Sequence, residues 1–311
     1  MTLPASVQVL ERGWLSSNNI LLFEPDGETA TLVDSGYVGH AAQTLALVKS
    51  ALATRHPPAK LTRLINTHSH SDHLGGNATL KNATGCAIHI PAGIERMVAE
   101  WDAEALMLEP ARQRADRFAH DGIIQPGQAL EMGGLVWQAL PAPGHDMAAL
   151  VFHCPEQRLL ISGDALWQDG FGIVFGELMG KDGALAATRA TLEMLARLPV
   201  DCVIPGHGAP FDDIDVAFER AFARLASFEA DGGKLARNAV RACFTFNLLD
   251  LTRLAEDALP AYLQSVPFFA SVNRSVFKLA DEDFASWLLG DLLRAHVVDV
   301  RDGWIIPRIA P

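Results

Sequence analysis

The segment Thr67-His68-Ser69-His70-Ser71-Asp72-His73-Leu74-Gly75-Gly76 puts three imidazoles and a carboxylate within six positions. His68 and His70 are two apart, so on an extended segment their side chains point the same way. Asp72 and His73 come next, just before Gly75 and Gly76, where the backbone is free to turn sharply. Crowded imidazoles beside a carboxylate suit zinc-type cations near neutral pH. Three later residues share one local setting. His145 lies in Pro143-Gly144-His145-Asp146, Asp164 in Ile161-Ser162-Gly163-Asp164, and His207 in Ile204-Pro205-Gly206-His207-Gly208. Each follows an apolar run and sits beside glycine, as a side chain presented from a tight turn at a sheet edge does. One Gly-His pair is an ordinary turn. Four such segments in order point to a metal centre.

The elements that must position these residues alternate between strands and helices. Asn19–Phe23, the turn Glu24-Pro25-Asp26-Gly27 and Thr29–Val33 read as a β-hairpin. A helical stretch follows, with Leu45, Val48 and Leu52 on one face. Leu61–Ile65 reads as a buried strand that ends at the His-rich segment. Residues 91–120 are charged, Ala-rich and helix-favouring, and read as an insertion over one face, a pocket wall or a solvated helix pair more than a partner-binding site. Strands are expected at Leu135–Leu140, Ala149–His153, Arg158–Ile161 and Asp201–Ile204, with a helix carrying Leu185, Leu192 and Leu195 before the last. Sheets with helices packed outside them are implied.

After Pro210 the helical signals dominate, with Phe218, Phe222, Leu225 and Phe228 at helical spacing. Phe284–Ala295 reads as a helix, and Val297–Val300, Arg301-Asp302-Gly303 and Trp304–Ile306 as a hairpin with a glycine turn. Two units are therefore expected: a catalytic domain over residues 1–211 and a helical, winged-helix-like module over 212–311.

Composition narrows the function classes. The chain has 311 residues, 25 Lys plus Arg against 37 Asp plus Glu, and a formal net charge of −12. Affinity for nucleic acid rests on clustered cations, so a general polyanion binder is disfavoured. Residues 212–311 carry 11 basic against 15 acidic side chains, which argues against a nucleic-acid-binding wing. No run approaches the length of a membrane-spanning helix, and Met1–Gly13 shows no secretory pattern. Cys86, Cys154, Cys202 and Cys243 are far apart with no C-x-x-C pair, so they read as small buried residues of a protein in the cytoplasm.

With these motifs in order, the chain resembles the metallo-β-lactamase-fold hydrolase superfamily, whose signature is H-x-H-x-D-H followed by a separated His, Asp and His. The likeness spans about residues 15–211. It implies an α+β fold, an αββα sandwich with a two-metal site at one edge of the paired sheets. Carried onto this chain, His68, His70 and His145 would bind the first metal. Asp72, His73 and His207 would bind the second, and Asp164 would bridge both. Asp34 resembles a position that supports the ligand shell. Zinc is the first choice, with manganese or iron open, since affinity order alone does not fix selectivity.

The charge arithmetic suits that assignment. Two divalent cations bring about four positive charges, and Asp72 and Asp164 cancel two. Coordination lowers the pKa of water from 15.7 to about 7, so a metal-bound hydroxide replaces a Ser or Cys nucleophile. Asp72 would then shuttle a proton. His70 sets the chain apart from the di-iron flavoproteins, which carry Glu there. Asp164 sets it apart from the β-lactam-degrading branch.

The implied activity is a binuclear metal-dependent hydrolase acting on a thioester, ester or lactone of a small molecule. Glyoxalase II-like thioesterases share the ligand pattern, but no basic cluster matches their glutathione-binding segment. The only tyrosines are Tyr37 and Tyr262, so the Tyr that many lactonases carry after the bridging Asp is missing. Trp167, Phe171, Phe175 and Met179 would line an acyl pocket or pack on the second module. That module would cover the metal cleft or build a homodimer contact. A metal-dependent phosphodiesterase or ribonuclease, and a non-catalytic metal-binding scaffold, are the alternatives.

Overall fold

The computed structural model describes residues 3–308. The first sheet has six strands in sequential order: β1 (Val7–Leu10), β2 (Asn19–Phe23), β3 (Thr29–Val33), β4 (Lys60–Ile65), β5 (Ala87–Pro91) and β6 (Gly122–Ile124). The β1–β2–β3 pairs are antiparallel, and β3 through β6 run parallel. A second, five-stranded sheet has the order β11-β10-β9-β8-β7, formed by β7 (Ala129–Met132), β8 (Leu135–Pro141), β9 (Leu150–Cys154), β10 (Leu159–Gly163) and β11 (Cys202–Pro205). Only its β10–β11 pair is parallel.

Strand alternation explains why both sheets are covered on both faces. In β2, Ile20 and Leu22 face the second sheet, while Leu21 and Phe23 face the helices outside. In β10, Leu159 and Ile161 face inward and Leu160 outward. Continuous apolar strands of this kind are stable only when buried from both sides. The space between the sheets is filled by residues such as Ile65, Trp137, Phe152 and Ile204, none more than marginally exposed. Outside the first sheet pack α1 (Ala41–Leu52), α2 (Ser71–Leu74), α3 (Asn77–Thr84) and α4 (Glu95–Glu100). Val48, Leu74, Leu80 and Val98 enter that core. The layering is the αββα sandwich the motifs implied, and the hairpin, the Leu45/Val48/Leu52 helix and the strands about β4 and β8–β11 stand where the sequence placed them.

Residues 91–120 differ from the expectation of helices. They contain a 3-10 turn at Ala92–Ile94, α4 and α5 (Leu108–Ala111), with residues 113–120 irregular. The propensity of the alanines is overridden by backbone breaks: Trp101, Met107 and Arg112 adopt left-handed conformations, at φ 58°, 60° and 53°. The segment is fixed to the core by Leu106, Leu108 and Phe118, so it forms a wall.

Outside the second sheet lies α6 (Ala184–Leu195), and residues 212–308 add α7 (Ile214–Ala230), α8 (Gly232–Leu251), α9 (Leu259–Ser265), α10 (Pro267–Val272) and α11 (Asp281–Arg294). The strands β12 (Leu254–Ala255), β13 (Val298–Arg301) and β14 (Trp304–Pro307) form a third sheet, with Asp302 and Gly303 at positive φ in the β13–β14 turn. Among the described residues, no helix is long and apolar enough to cross a membrane.

Candidate metal centre

Strand direction brings the chemistry to one edge. The C-terminal ends of β3 and β4 in one sheet, and of β8, β10 and β11 in the other, lead into Asp34, His68, His145, Asp164 and His207. Two backbone hydrogen bonds tie the loops there: Leu150 N donates to the Thr67 carbonyl at 2.9 Å, and Asn18 N to the Gly206 carbonyl at 2.7 Å. All seven residues singled out as ligands come together. Ligand atoms of His68, His70 and His145 lie within 4.8 Å of one another, as do those of Asp72, His73, Asp164 and His207. Asp164 lies between the groups: its Oδ1 is 3.3 Å from His73 Nε2 and its Oδ2 3.3 Å from His145 Nε2. Asp72 Oδ2 is 3.0 Å from His207 Nε2.

The outer nitrogens of three of these rings, His68, His73 and His145, are held by protein acceptors. His73 Nδ1 donates to Asp34 Oδ2 at 2.7 Å, and His145 Nδ1 to the Ile173 carbonyl at 2.5 Å. Thr67 Oγ1 donates to Asp34 Oδ2 at 2.8 Å, so it accepts from His68 Nδ1 at 3.0 Å. Thr67 N also donates to Asp34 Oδ1, at 2.9 Å. His68 Nε2 and His73 Nε2 are then buried nitrogens without any hydrogen bond. Such an orphan costs about 1–3 kcal/mol, and a cation bound by it removes the cost. An acceptor behind the ring, as His68, His73 and His145 have, is the arrangement that metal-binding histidines show. His70 Nδ1 instead faces His145 Nε2 at 2.7 Å, and His207 Nδ1 is buried without a partner. The residues present fit divalent cations.

The imidazoles titrate in opposite directions. Burial and the neighbouring His145 push the His70 imidazole down to about 4. Burial, with His73 and His70 alongside, drives His68 well below its ordinary range. For His73, burial acts against the charge, but Asp164, Asp34 and Asp72 outweigh it and hold the imidazole well above its usual value. Burial would likewise raise Asp164, yet His73, His207 and His145 hold it well below the ordinary carboxylate range.

Several supporting residues carry no motif and are visible only in the fold. Asp146 accepts from Ser69 N at 2.9 Å and Ser69 Oγ at 2.5 Å, which pins the turn between His68 and His70. Trp167 Nε1 donates to Asp164 Oδ1 at 3.2 Å. Trp14 stacks on the His207 ring with centroids 5.5 Å apart. Gly206 must be glycine because a Cβ there would stand 2.2 Å from Asp164 Oδ1. Its place between β11 and His207 was the available signal.

A cavity of about 60 Å³ opens onto His70, Asp72, His145 and Asp164. Its remaining wall comes from Ser71 on α2, Leu106, Met107, Ala111 and Gln113 in the 91–120 wall, Trp167, Ile173 and Phe175 after β10, and Cys243 and Phe246 on α8. Of the aromatic run after Asp164, Trp167 and Phe175 line this cavity, whereas Phe171 is buried against Phe228. Burial, with the Asp72 charge adding to it, keeps the Cys243 thiol protonated, so it serves as wall and not as nucleophile.

Residues 12–207 match the model of the Metallo-beta-lactamase superfamily, and the chain belongs to it. A hydroxyacylglutathione hydrolase of Hyphomonas neptunium is 31% identical over 140 residues, covering 45% of this chain and 44% of that protein. One from a Polaromonas species is 35% identical over 151 residues, covering 48% and 49%. The matched segment thus spans about half the length of these curated relatives. A metallo-beta-lactamase family protein of Thermus thermophilus shares the fold over 99% of this chain and 100% of its own, with a TM-score of 0.58 and 20% identity.

Proposed function

We propose that this protein is a binuclear metal-dependent hydrolase that cleaves a thioester, ester or lactone of a small molecule. The observation that carries the reading is the convergence of five imidazoles and two carboxylates into two adjoining ligand groups with Asp164 between them. His68, His70 and His145 would hold one cation, Asp72, His73 and His207 the other, and Asp164 both, with zinc favoured by this donor set. When bound, two such cations supply a water nucleophile at neutral pH and Lewis acidity for the developing oxyanion. The similarity to hydroxyacylglutathione hydrolases supports acyl transfer to water as the reaction class.

The chain's own groups do the rest. Asp34, Thr67 and the Ile173 carbonyl keep the imidazole lone pairs aimed inward. Trp14, stacked on His207, shields that ring from solvent. The mainly apolar cavity wall would keep water from the acyl side of a substrate seated beside Asp72 and Asp164. In the reaction, a C–O bond forms to the acyl carbon and the bond to the leaving sulfur or oxygen breaks. One proton of the attacking water passes to the leaving group, and Asp72 lies at the cavity to carry it. The second proton leaves with the acid product.

The test is metal content with turnover. The purified holoenzyme is expected to hold about two metal ions per chain and to hydrolyse members of a panel of acyl thioesters, esters and lactones. Asp164→Ala is expected to lose both metal and turnover. Full loading and activity in that variant, or preferred turnover of bis-p-nitrophenyl phosphate, would overturn the proposal.

A further inference from the structure

His207 leaves β11 between Gly206 and Gly208, and its backbone is held from outside the sheet. Asn18 N donates to the Gly206 carbonyl at 2.7 Å, and Asn18 Nδ2 to the carbonyls of Pro205 at 3.0 Å and Gly208 at 2.7 Å. Asn18 is itself fixed, since its Oδ1 accepts from Arg12 N at 3.0 Å. A fixed backbone still leaves an imidazole able to turn about its Cβ–Cγ bond, where the torsional wells are broad. In a metal ligand, a hydrogen bond from the outer nitrogen ordinarily stops that rotation. His68, His73 and His145 each have one. His207 Nδ1 is buried and has none among the described residues.

Aromatic rings enclose His207 instead. Trp14 lies flat against it, with planes 9° from parallel and centroids 5.5 Å apart. Trp167 and Phe246 stand across it at 74° and 88°, with centroids at 5.4 Å and 6.0 Å. Trp167 also meets Trp14 edge-on at 5.6 Å and donates through Nε1 to Asp164 Oδ1, so the enclosure is tied to a second ligand. Stacked and edge-on pairs favour particular ring angles. A His207 ring turned about Cβ–Cγ would give up the face of Trp14, and its Nε2 would leave Asp72 Oδ2, now 3.0 Å away. Trp14 is 43% exposed, so its removal leaves the apolar interior intact.

Resting on the binuclear reading, we infer that Trp14 is a positioning residue for the metal position formed by Asp72, His73 and His207. Backed by Trp167 and Phe246, its indole face holds the His207 imidazole in the rotation that aims Nε2 at that position. An outer hydrogen bond performs this task for His68, His73 and His145. The face of the ring does the work, so phenylalanine can replace Trp14 where alanine cannot. Trp14 does not line the cavity, so substrate binding is untouched.

Metal content of the full chain, equilibrated against buffered zinc, tests this. The unaltered chain is expected to hold about two ions. Trp14→Ala should bind one of them at least about tenfold more weakly and the other unchanged. Trp14→Phe, which keeps a flat ring against His207, should stay within about threefold of the unaltered chain for both. With cobalt in place of zinc, the visible absorption of the weakened ion should change in Trp14→Ala and stay native in Trp14→Phe. Added zinc should restore kcat to Trp14→Ala, with KM unchanged throughout. Three outcomes would overturn the inference and leave the binuclear hydrolase standing: Trp14→Ala holding both ions as tightly as the unaltered chain, Trp14→Ala losing both ions together with its thermal transition, or Trp14→Phe behaving as Trp14→Ala. An unaltered chain that binds fewer than two ions at saturating zinc would overturn the binuclear reading itself.

Discussion

Asp34 is the residue on which the ligand geometry turns. It is buried, it accepts from His73 Nδ1 and from both Thr67 donors, and through Thr67 it reaches His68. It also adopts a left-handed backbone at φ 58°, a conformation that Asp and Asn tolerate better than other non-glycine residues. Asp34→Asn therefore keeps the backbone and removes the charge behind His73. Loss of such an outer partner weakens metal binding by about 10–100-fold, and competition with a chelator measures it. Unchanged affinity would remove Asp34 from the site. The ligands themselves were legible because each has a donor side chain beside a glycine or within the crowded His-rich segment. Thr67, Asp146 and Trp167 were not, since a threonine hydroxyl or an indole N–H gains its role only from the neighbour that the fold brings to it.

At the scale of elements, the second sheet depends on α6. Leu192 and Leu195 are buried against Val203, Leu160 and the residues of α7. Leu192→Ala removes a fully buried side chain and is expected to destabilise the protein by about 2–5 kcal/mol. Chemical denaturation of the holoenzyme checks this, and kcat should hold at temperatures where the variant stays folded, because Leu192 lines no part of the cavity. This helix was readable because Leu185, Leu192 and Leu195 repeat at its period, and β2 to β4 because short runs of apolar and β-branched residues end at turns. Strands β1, β5 and β7 escaped notice because Gln8, His89 and Glu131 interrupt their short apolar runs, and β6 because it is three residues long. Of the two expectations for residues 91–120, the pocket wall stands and the solvated helix pair does not, because alanine propensity is weaker than the tertiary contacts of Leu106, Leu108 and Phe118.

For the whole molecule, the sequence suggested two units meeting near residue 211, and the way the interior is shared bears on their independence. One apolar core runs from Ala142 and Val151 through Leu192 and Val203 to Leu225, Leu248, Phe268, Leu288 and Ile305. The outer face of the second sheet thus has α6 and residues 212–308 as its cover. Cys243 and Phe246 also carry this region into the cavity wall. A chain ending at residue 211 would expose the partners of a dozen or more buried side chains, a patch beyond the few hundred Å² that soluble monomers tolerate. We expect that truncated chain to aggregate or to bind a hydrophobic dye, and the full chain to unfold in a single cooperative transition. Calorimetry of the full chain and dye binding of the truncated one provide the measurement. Two separated transitions, or a soluble truncated chain that retains its metal, would show that residues 1–211 stand alone and that the C-terminal region merely docks on them.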